Sequence, residues 1–380
     1  MGYMKIISAI LGVICIVVIA FDAFETIVLP RRVVRRVRVA KIFYRVSWAF
    51  WAMIGRKLHS GNQREYYLSI YGPLSLIMLL VMWASLFILG FGMLGWGLSL
   101  PMQAPEKVMG FGSYLYVSGT TFVTLGFGDI TPLSRLGRFL AVLEGGTGLG
   151  FLALVIGYVP VIYQTFSRRE INISLLDARA GTPPSAPELL IRHFNGGSSD
   201  ELTLYLRDWE RWCAELLESH LSYPVLAYYR SQHESQSWLS ALTTLLDTCA
   251  LILVGIDGLP LKPAKFLFAT ARHTAVDLTQ SFGLQPVRSQ RRYERADFTR
   301  LCEDLSSHGI ILLDNDDTWN HLRDLRRMYE PFVEALADYL LVTLPDMQLI
   351  SDRVDDWQTS AWDHFLPSSP RVLDRAMRNG

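Results

Sequence analysis

The sequence predicts an all-α membrane fold, and three observations carry that prediction. Half of the 380 residues are hydrophobic and the mean hydropathy is +0.22, high for a water-soluble chain of this length. Three stretches are each long and apolar enough to cross a bilayer: Ile6 to about Leu29, about Leu68 to Leu98, and about Leu136 to Tyr163. Beyond them, apolar residues recur at three-to-four spacing through residue 344, the period of helices packed on one another.

The first element, Ile6–Leu29, is predicted to span with the Met1–Lys5 tail outside. A cleaved signal peptide is the competing account of Ile6–Ala20, but no small-x-small cleavage site follows it. Residues 30–64 then carry ten Lys or Arg (31, 32, 35, 36, 38, 41, 45, 56, 57 and 64) and no acid, whereas the 98–110 connection carries only Glu106 and Lys107. The positive-inside rule therefore puts residues 30–64 in the cytoplasm and the 98–110 connection outside. Arg168 and Arg169 close the third span on the cytoplasmic side.

Within the basic block, Arg32, Arg35, Arg38 and Lys41 recur every third residue, a spacing similar to that of a voltage-sensing helix. Burying that many cations costs roughly 2.5–3.5 kcal/mol each at the bilayer centre, and no countercharge scaffold precedes them. Arg38, Lys41 and Arg45 share one helical face and Phe43, Val46, Phe50 and Ile54 another, with Trp48 and Trp51 near the boundary. That pattern predicts an interfacial helix lying along the inner leaflet, its cations toward anionic lipid headgroups. Asp22 and Glu25, three residues apart near the inner end of the first span, are expected to pair with Arg31, Arg32 or Arg35 and fix the turn at Pro30.

Between the second and third spans, Val108–Val123 is predicted to be a short helix running into Thr120-Thr121-Phe122-Val123-Thr124-Leu125-Gly126-Phe127-Gly128-Asp129. Consecutive carbonyls aimed at one axis can replace an ion's hydration shell. Holding them on one side requires backbone angles that glycine adopts freely, and Gly126 and Gly128 stand at alternate positions. Thr124 can add a hydroxyl oxygen at the inner end, and Thr120 and Thr121 support the segment from the preceding helix.

The string Thr124-Leu125-Gly126-Phe127-Gly128-Asp129 resembles the Thr-Val-Gly-Tyr-Gly-Asp signature of the potassium-channel pore superfamily. The resemblance extends over about residues 65–168, with Asp129-Ile130-Thr131-Pro132 as the outer-mouth turn and Leu136-Gly137-Arg138 as the start of the inner helix. It implies an outer helix, pore helix, filter and inner helix, with K+ as the permeant ion. It also implies that Gly148 is a gating hinge, at which alanine shifts open probability and spares selectivity. Val159-Pro160-Val161 is similar to the second half of a Pro-Val-Pro kink, displaced by a few residues, and Pro160 would bend the helix. Gly146 and Gly150, one turn apart, also suit close helix approach.

Three departures from the signature matter. Phe127 replaces tyrosine and its hydroxyl, Leu125 replaces valine, and Thr120 stands where some members keep a buttressing acid. The resemblance thus implies a selective but less tightly braced filter. Glu144, the one acid in the apolar part of the inner helix, is the candidate pore acid. It has three accounts: a substitute for the missing buttress, a cation-concentrating acid on the cavity wall, or an interhelical hydrogen bond, open to the protonated form. One filter copy per chain is a quarter of a cage, so a cyclic homotetramer is expected.

Residues 171–380 hold 29 acidic and 20 basic residues, net −9 against +9 for residues 1–170. A linker over 171–187 ends in Gly181-Thr182-Pro183-Pro184-Ser185-Ala186-Pro187. Helices are then predicted at Leu202–Leu217, Trp238–Val254, Ala264–Phe282, Asp297–Ser307 and Trp319–Leu344, the last capped by Asp317. The run Leu251–Val254 suits a buried helix end, charges flanking it too closely for a span. Asp314-Asn315-Asp316-Asp317 lacks the glycine and terminal glutamate of a calcium loop. Cys15, Cys213, Cys249 and Cys302 have no metal spacing, although His220, His233 and His273 could meet in space. Arg288, Arg291, Arg292 and Arg295 suit a solvated face better than an anion site. No dinucleotide-binding glycine motif follows a strand, and the domain's acidity argues against nucleic acid.

The organisation expected is a transmembrane helix over 1–30, a basic interfacial helix over 31–64, a pore domain over 65–170, a linker, and a cytosolic helical domain over 188–380. The function expected is passive, potassium-selective conduction in the plasma membrane, with no enzymatic activity and no cofactor beyond K+. The acidic domain would assemble or gate the tetramer in response to a ligand the sequence does not name. The alternative is a channel-like membrane anchor for a ligand-binding or enzymatic C-terminal domain.

Overall fold

The computed structural model describes residues 2–29, 38–58, 61–105, 110–194, 199–231, 236–287 and 293–349. It is all-α apart from one two-residue strand pair, and it divides into two compact units. The first comprises Met1–Leu58 and Tyr66–Gln164, the second His59–Glu65 and Thr165–Gly380.

In the first unit, α1 (Gly2–Ile27), α2 (Val39–Gly55), α3 (Asn62–Gly97), α4 (Phe111–Phe122) and the first part of α5 (Arg135–Ala180) follow in order. Three of them, α1, α3 and α5, are long and apolar enough to cross a membrane. Helices α1 and α3 run antiparallel at backbone contact. A Cβ on Gly12 would lie 2.6 Å from the Gly90 carbonyl, and one on Gly97 2.4 Å from the Ala9 nitrogen, so small residues set this spacing. Ser8 Oγ, donating to Met93 O at 3.0 Å, and Lys5 Nζ, donating to Ser99 Oγ at 2.7 Å, fix the register.

The two acids of α1 are buried. The Asp22 carboxylate accepts from the backbone N–H of Val39 (2.9 Å) and Ala40 (3.0 Å) and from Trp83 Nε1 (3.0 Å). It thus caps α2 from 17 residues away and joins it to α1 and α3, satisfying amides that Arg38, at the N-cap position, leaves open. Glu25 faces Arg38 at 3.9 Å. Arg31, Arg32, Arg35 and Arg36 lie outside the described residues.

Helix α2 does not form an isolated surface element. It runs antiparallel along the N-terminal half of α3: Trp48 is buried against Tyr71 and Trp51 stacks on Tyr67 at 4.5 Å. The tryptophans expected at a boundary are its packing face. Its outer face exposes Ile42, Val46, Phe50 and Met53 beside Lys41 and Arg45.

In the second unit, the continuation of α5 is followed by α6 (Ala186–Phe194), α7 (Ser199–Ser222), a 3-10 turn at Pro224–Tyr228, and α8 (Trp238–Leu253). Then come α9 (Leu261–Phe282), α10 (Arg295–Ser307), α11 (Asp316–Arg327) and α12 (Glu330–Leu340). Helix α8 is buried on all sides, which is why its 16 residues are largely apolar although it is shorter than a span. Helix α9 packs against both α7 and α8.

Three sequence expectations are corrected here. Residues 171–180, assigned to a linker, are the last turns of α5, and only 181–185 form the connection to α6. The single helix expected over Trp319–Leu344 is two, because Pro331 lacks the N–H and would clash with the carbonyl four residues back. The cap of α11 is Asn315, whose side chain accepts from Thr318 N at 2.8 Å; Asp317 sits inside the first turn. Asp314 and Asp316 pair with Arg295, at 2.5 and 3.8 Å.

Arg169 also differs from expectation: it is buried in the second unit, not at the end of a helix. Its guanidinium donates to Leu226 O (2.8 Å), Tyr229 O (2.8 Å), Glu170 Oε1 (3.0 Å) and His220 Nε2 (3.2 Å). His220 Nδ1 lies 2.9 Å from Leu216 O, so the ring donates there and accepts from Arg169. Burial, then the neighbouring Arg169 charge, holds the His220 imidazole well below the usual histidine range. His273 is exposed and pairs with Asp277 at 3.2 Å, while His233 lies outside the described residues. Among the described residues no cluster of His, Cys, Asp and Glu could hold a metal. Arg288, Arg291 and Arg292 lie outside them.

Candidate functional site: the pore loop

The pore loop is assembled from both ends. Before α4, Met102–Gln103 (β1) pairs antiparallel with Thr131–Pro132 (β2) after the glycine segment, so the loop's two limbs are tied at its mouth. Ser134 Oγ accepts from Gly137 N at 3.0 Å and caps α5. Helix α4 is held against α3 by Ser118 Oγ, which donates to Ile88 O at 2.7 Å. Tyr114 Oη donates to Leu100 O at 2.8 Å, tying α4 to the loop that follows α3.

At the C-terminal end of α4, the rings of Phe87, Phe122 and Phe151 from α3, α4 and α5 meet with centroids 5.7–6.2 Å apart. Gly148 lies against the same point. A Cβ there would stand 1.9 Å from the Phe122 carbonyl oxygen, so this glycine is required for α5 to approach α4. Helix α5 is continuous through Gly148 and Pro160, whereas Gly146 and Gly150 have open space where a Cβ would go.

From α4 the chain turns into the glycine segment. Thr120 O accepts from Leu125 N (2.8 Å) and Gly126 N (3.2 Å), and Thr121 O accepts from Thr124 N (3.0 Å). Left-handed backbone then occurs at alternate residues: φ is 60° at Thr124, 53° at Gly126 and 78° at Gly128. Such alternation turns successive carbonyls to one side of the strand. The two glycines were legible in the sequence. Thr124 was not, because a threonine in this region carries about 1–3 kcal/mol of strain that only the surrounding turn can impose. Leu125 and Phe127 are exposed in the single chain.

The bracing of this segment differs from what the sequence suggested. Asp129 is held by Tyr116 Oη, which donates to Asp129 Oδ2 at 3.0 Å, linking the outer end of the glycine segment back to α4. Tyr116 was not singled out, since a tyrosine on a short apolar helix carries no signal of its partner. Thr120 turns its hydroxyl to Val117 O, at 3.0 Å. Glu144 is buried and hydrogen-bonds Ser118. Of its three accounts, this contact is the interhelical bond; it joins α5 to the back of α4, not to the glycine segment.

Residues 76–164 match the family model described as "Ion channel". Over 215 residues the chain is 26% identical to YdjJ of Bacillus subtilis (strain 168), named as an uncharacterized membrane protein; the match covers 54% of this chain and 60% of that one. The chain thus spans less than two thirds of that relative's length. No solved structure matches. The chain is a membrane protein with an ion-channel pore domain, built of two membrane-length helices flanking a pore helix and its loop.

Proposed function

We propose that this protein is a potassium-selective channel in which residues 124–129 of four subunits form the conducting filter. The observation that carries the proposal is the alternating left-handed backbone at Thr124, Gly126 and Gly128, directly after a pore helix whose last turn accepts the amides of Thr124, Leu125 and Gly126. Potassium ions would be coordinated by the carbonyls of this segment and the Thr124 hydroxyl. The protein conducts passively and catalyses no reaction. A cyclic homotetramer follows from one filter copy per chain. Gly148 and Pro160 are the positions at which α5 would bend to gate, and the continuation of α5 into the second unit supports modulation of the gate by that unit.

The ten cations of residues 30–64 orient the chain in the plasma membrane, with the pore mouth outside and the C-terminal unit in the cytoplasm. The exposed Lys41 and Arg45 beside Val46 and Phe50 support contact of α2 with anionic lipid; no nucleic acid is expected to bind. The test is K+ flux from proteoliposomes holding the full-length protein. Barium-sensitive K+ flux that exceeds Na+ flux, and is lost in Gly126→Ala, supports the proposal. Flux that does not distinguish the two ions, or survives in that variant, refutes it.

A further inference from the structure

A serine hydroxyl has one proton to give and lone pairs to receive. Ser118 Oγ lies 2.7 Å from the carbonyl oxygen of Ile88, which can only accept, so the serine proton is committed there. Ser118 is also hydrogen-bonded to Glu144 Oε1. With its single proton spent, Ser118 can only accept in this second bond, and the proton must come from Glu144. An ionised Glu144 would press two acceptor oxygens together, either at Ile88 or at Ser118, with no proton between them.

The surroundings agree. Glu144 is 6% exposed, and none of the ion pairs among the described residues includes it. Helix α4 carries no charged residue, α3 carries only Arg64 and Glu65 near its far end, and the nearest charge on α5 is Arg138. A carboxylate here would be desolvated, with no cation among the described residues paired to it.

We propose that Glu144 is a positioning residue for the filter and acts as a neutral carboxylic acid, donating to Ser118, which donates to Ile88. This chain of two bonds sets where α4 lies between α3 and α5. One turn further along both helices, Phe122 meets Gly148, and the carbonyl of Thr120 between these points receives the amides of Leu125 and Gly126. Moving α4 therefore moves the start of the filter. The effect on conduction rests on the filter reading above; the location of the proton does not.

The test pairs infrared difference spectroscopy with ion flux, both on the full-length protein in proteoliposomes. The wild-type-minus-Glu144→Gln spectrum at neutral pH should contain the carbonyl stretch of a neutral carboxylic acid. Ser118→Ala should shift that band, because the acid loses its acceptor; a space-filling Glu144 would not respond. Glu144→Gln should keep the K+ to Na+ flux ratio within about twofold, its amide donating to Ser118 as the acid does. Glu144→Leu should lower that ratio by about tenfold, since the Ser118 acceptor is left unmatched. At alkaline pH the wild-type ratio should fall while that of Glu144→Gln holds. A wild-type spectrum without the neutral-acid band, or a Glu144→Gln channel as impaired as Glu144→Leu, overturns the proposal. A band without any K+ flux leaves the proton on Glu144 and defeats the filter reading instead.

Discussion

Gly148→Ala is the sharpest test of how the pore loop is held. The added Cβ would stand 1.9 Å from the Phe122 carbonyl oxygen, 2.8 Å from its carbon and 3.1 Å from its Cα, all backbone atoms that no rotamer change can move. An ordinary C···O contact is about 3.3 Å, so α5 and the end of α4 must part by about 1.4 Å. Overpacking of this kind costs about 1–3 kcal/mol per subunit. Against it stands the gain of about 1 kcal/mol from replacing glycine by alanine inside a helix. Gly150→Ala takes the same gain without the clash, because nothing lies within 4 Å of its Cβ. The difference between the two variants isolates the contact at about 1–3 kcal/mol.

Thermal unfolding of both full-length variants in detergent, with K+ and Na+ flux from proteoliposomes, reads the outcome. Gly148→Ala should melt below Gly150→Ala and lose the proposed selectivity, since the displaced Phe122 carries Thr120 and the amides of Leu125 and Gly126 with it. This departs from the expectation for a pure hinge, where open probability changes and selectivity stays. Equal melting of the two variants, or unaltered selectivity in Gly148→Ala, would refute the packing argument.

Tyr116→Phe removes the 3.0 Å bond to Asp129, worth about 0.5–1.5 kcal/mol, and should hasten the decline of K+ current during sustained opening; a single-channel or macroscopic recording decides it. Asp22→Ala strips acceptors from two backbone amides and Trp83 together, and should destabilise the protein by about 1–3 kcal/mol in a denaturant melt. His220 is held neutral in the fold, while an unfolded histidine takes up a proton near pH 6.5. The unfolded state therefore gains protons first as pH falls, and stability is lost below about pH 6.5 at up to about 1.4 kcal/mol per pH unit. His220→Gln should have a shallower acid slope than wild type when melts are compared across that range, and equal slopes would count against the burial argument.

Much of the fold was legible in the chain because its signals are local. A span announces itself by about twenty apolar residues in a row, and the glycine segment leads into the third span as read. The helix periods of the C-terminal unit were equally visible, and the run Leu251–Val254 was recognised by its flanking charges as a helix end and not a span. The errors fell where the deciding partner is distant. Residues 171–180 looked like linker because the helix there depends on packing within the second unit, where Ile173, Leu176 and Ala180 are buried. Nothing near Asp22 in the sequence indicates that it receives the first amides of α2.

The sequence by itself determined the class of the protein and the chemistry of its loop: apolar length sets the spans, and alternate glycines permit the carbonyls to line up. Only the tertiary structure decided what holds that loop in place. The Asp129–Tyr116 bond, the Ser118 bridge between Glu144 and Ile88, and the contact of Gly148 with Phe122 join residues 13 to 30 positions apart. Composition and period report on which face of a helix is apolar, but a hydrogen bond between two helices depends on their separation and rotation, and these exist only once the helices have packed.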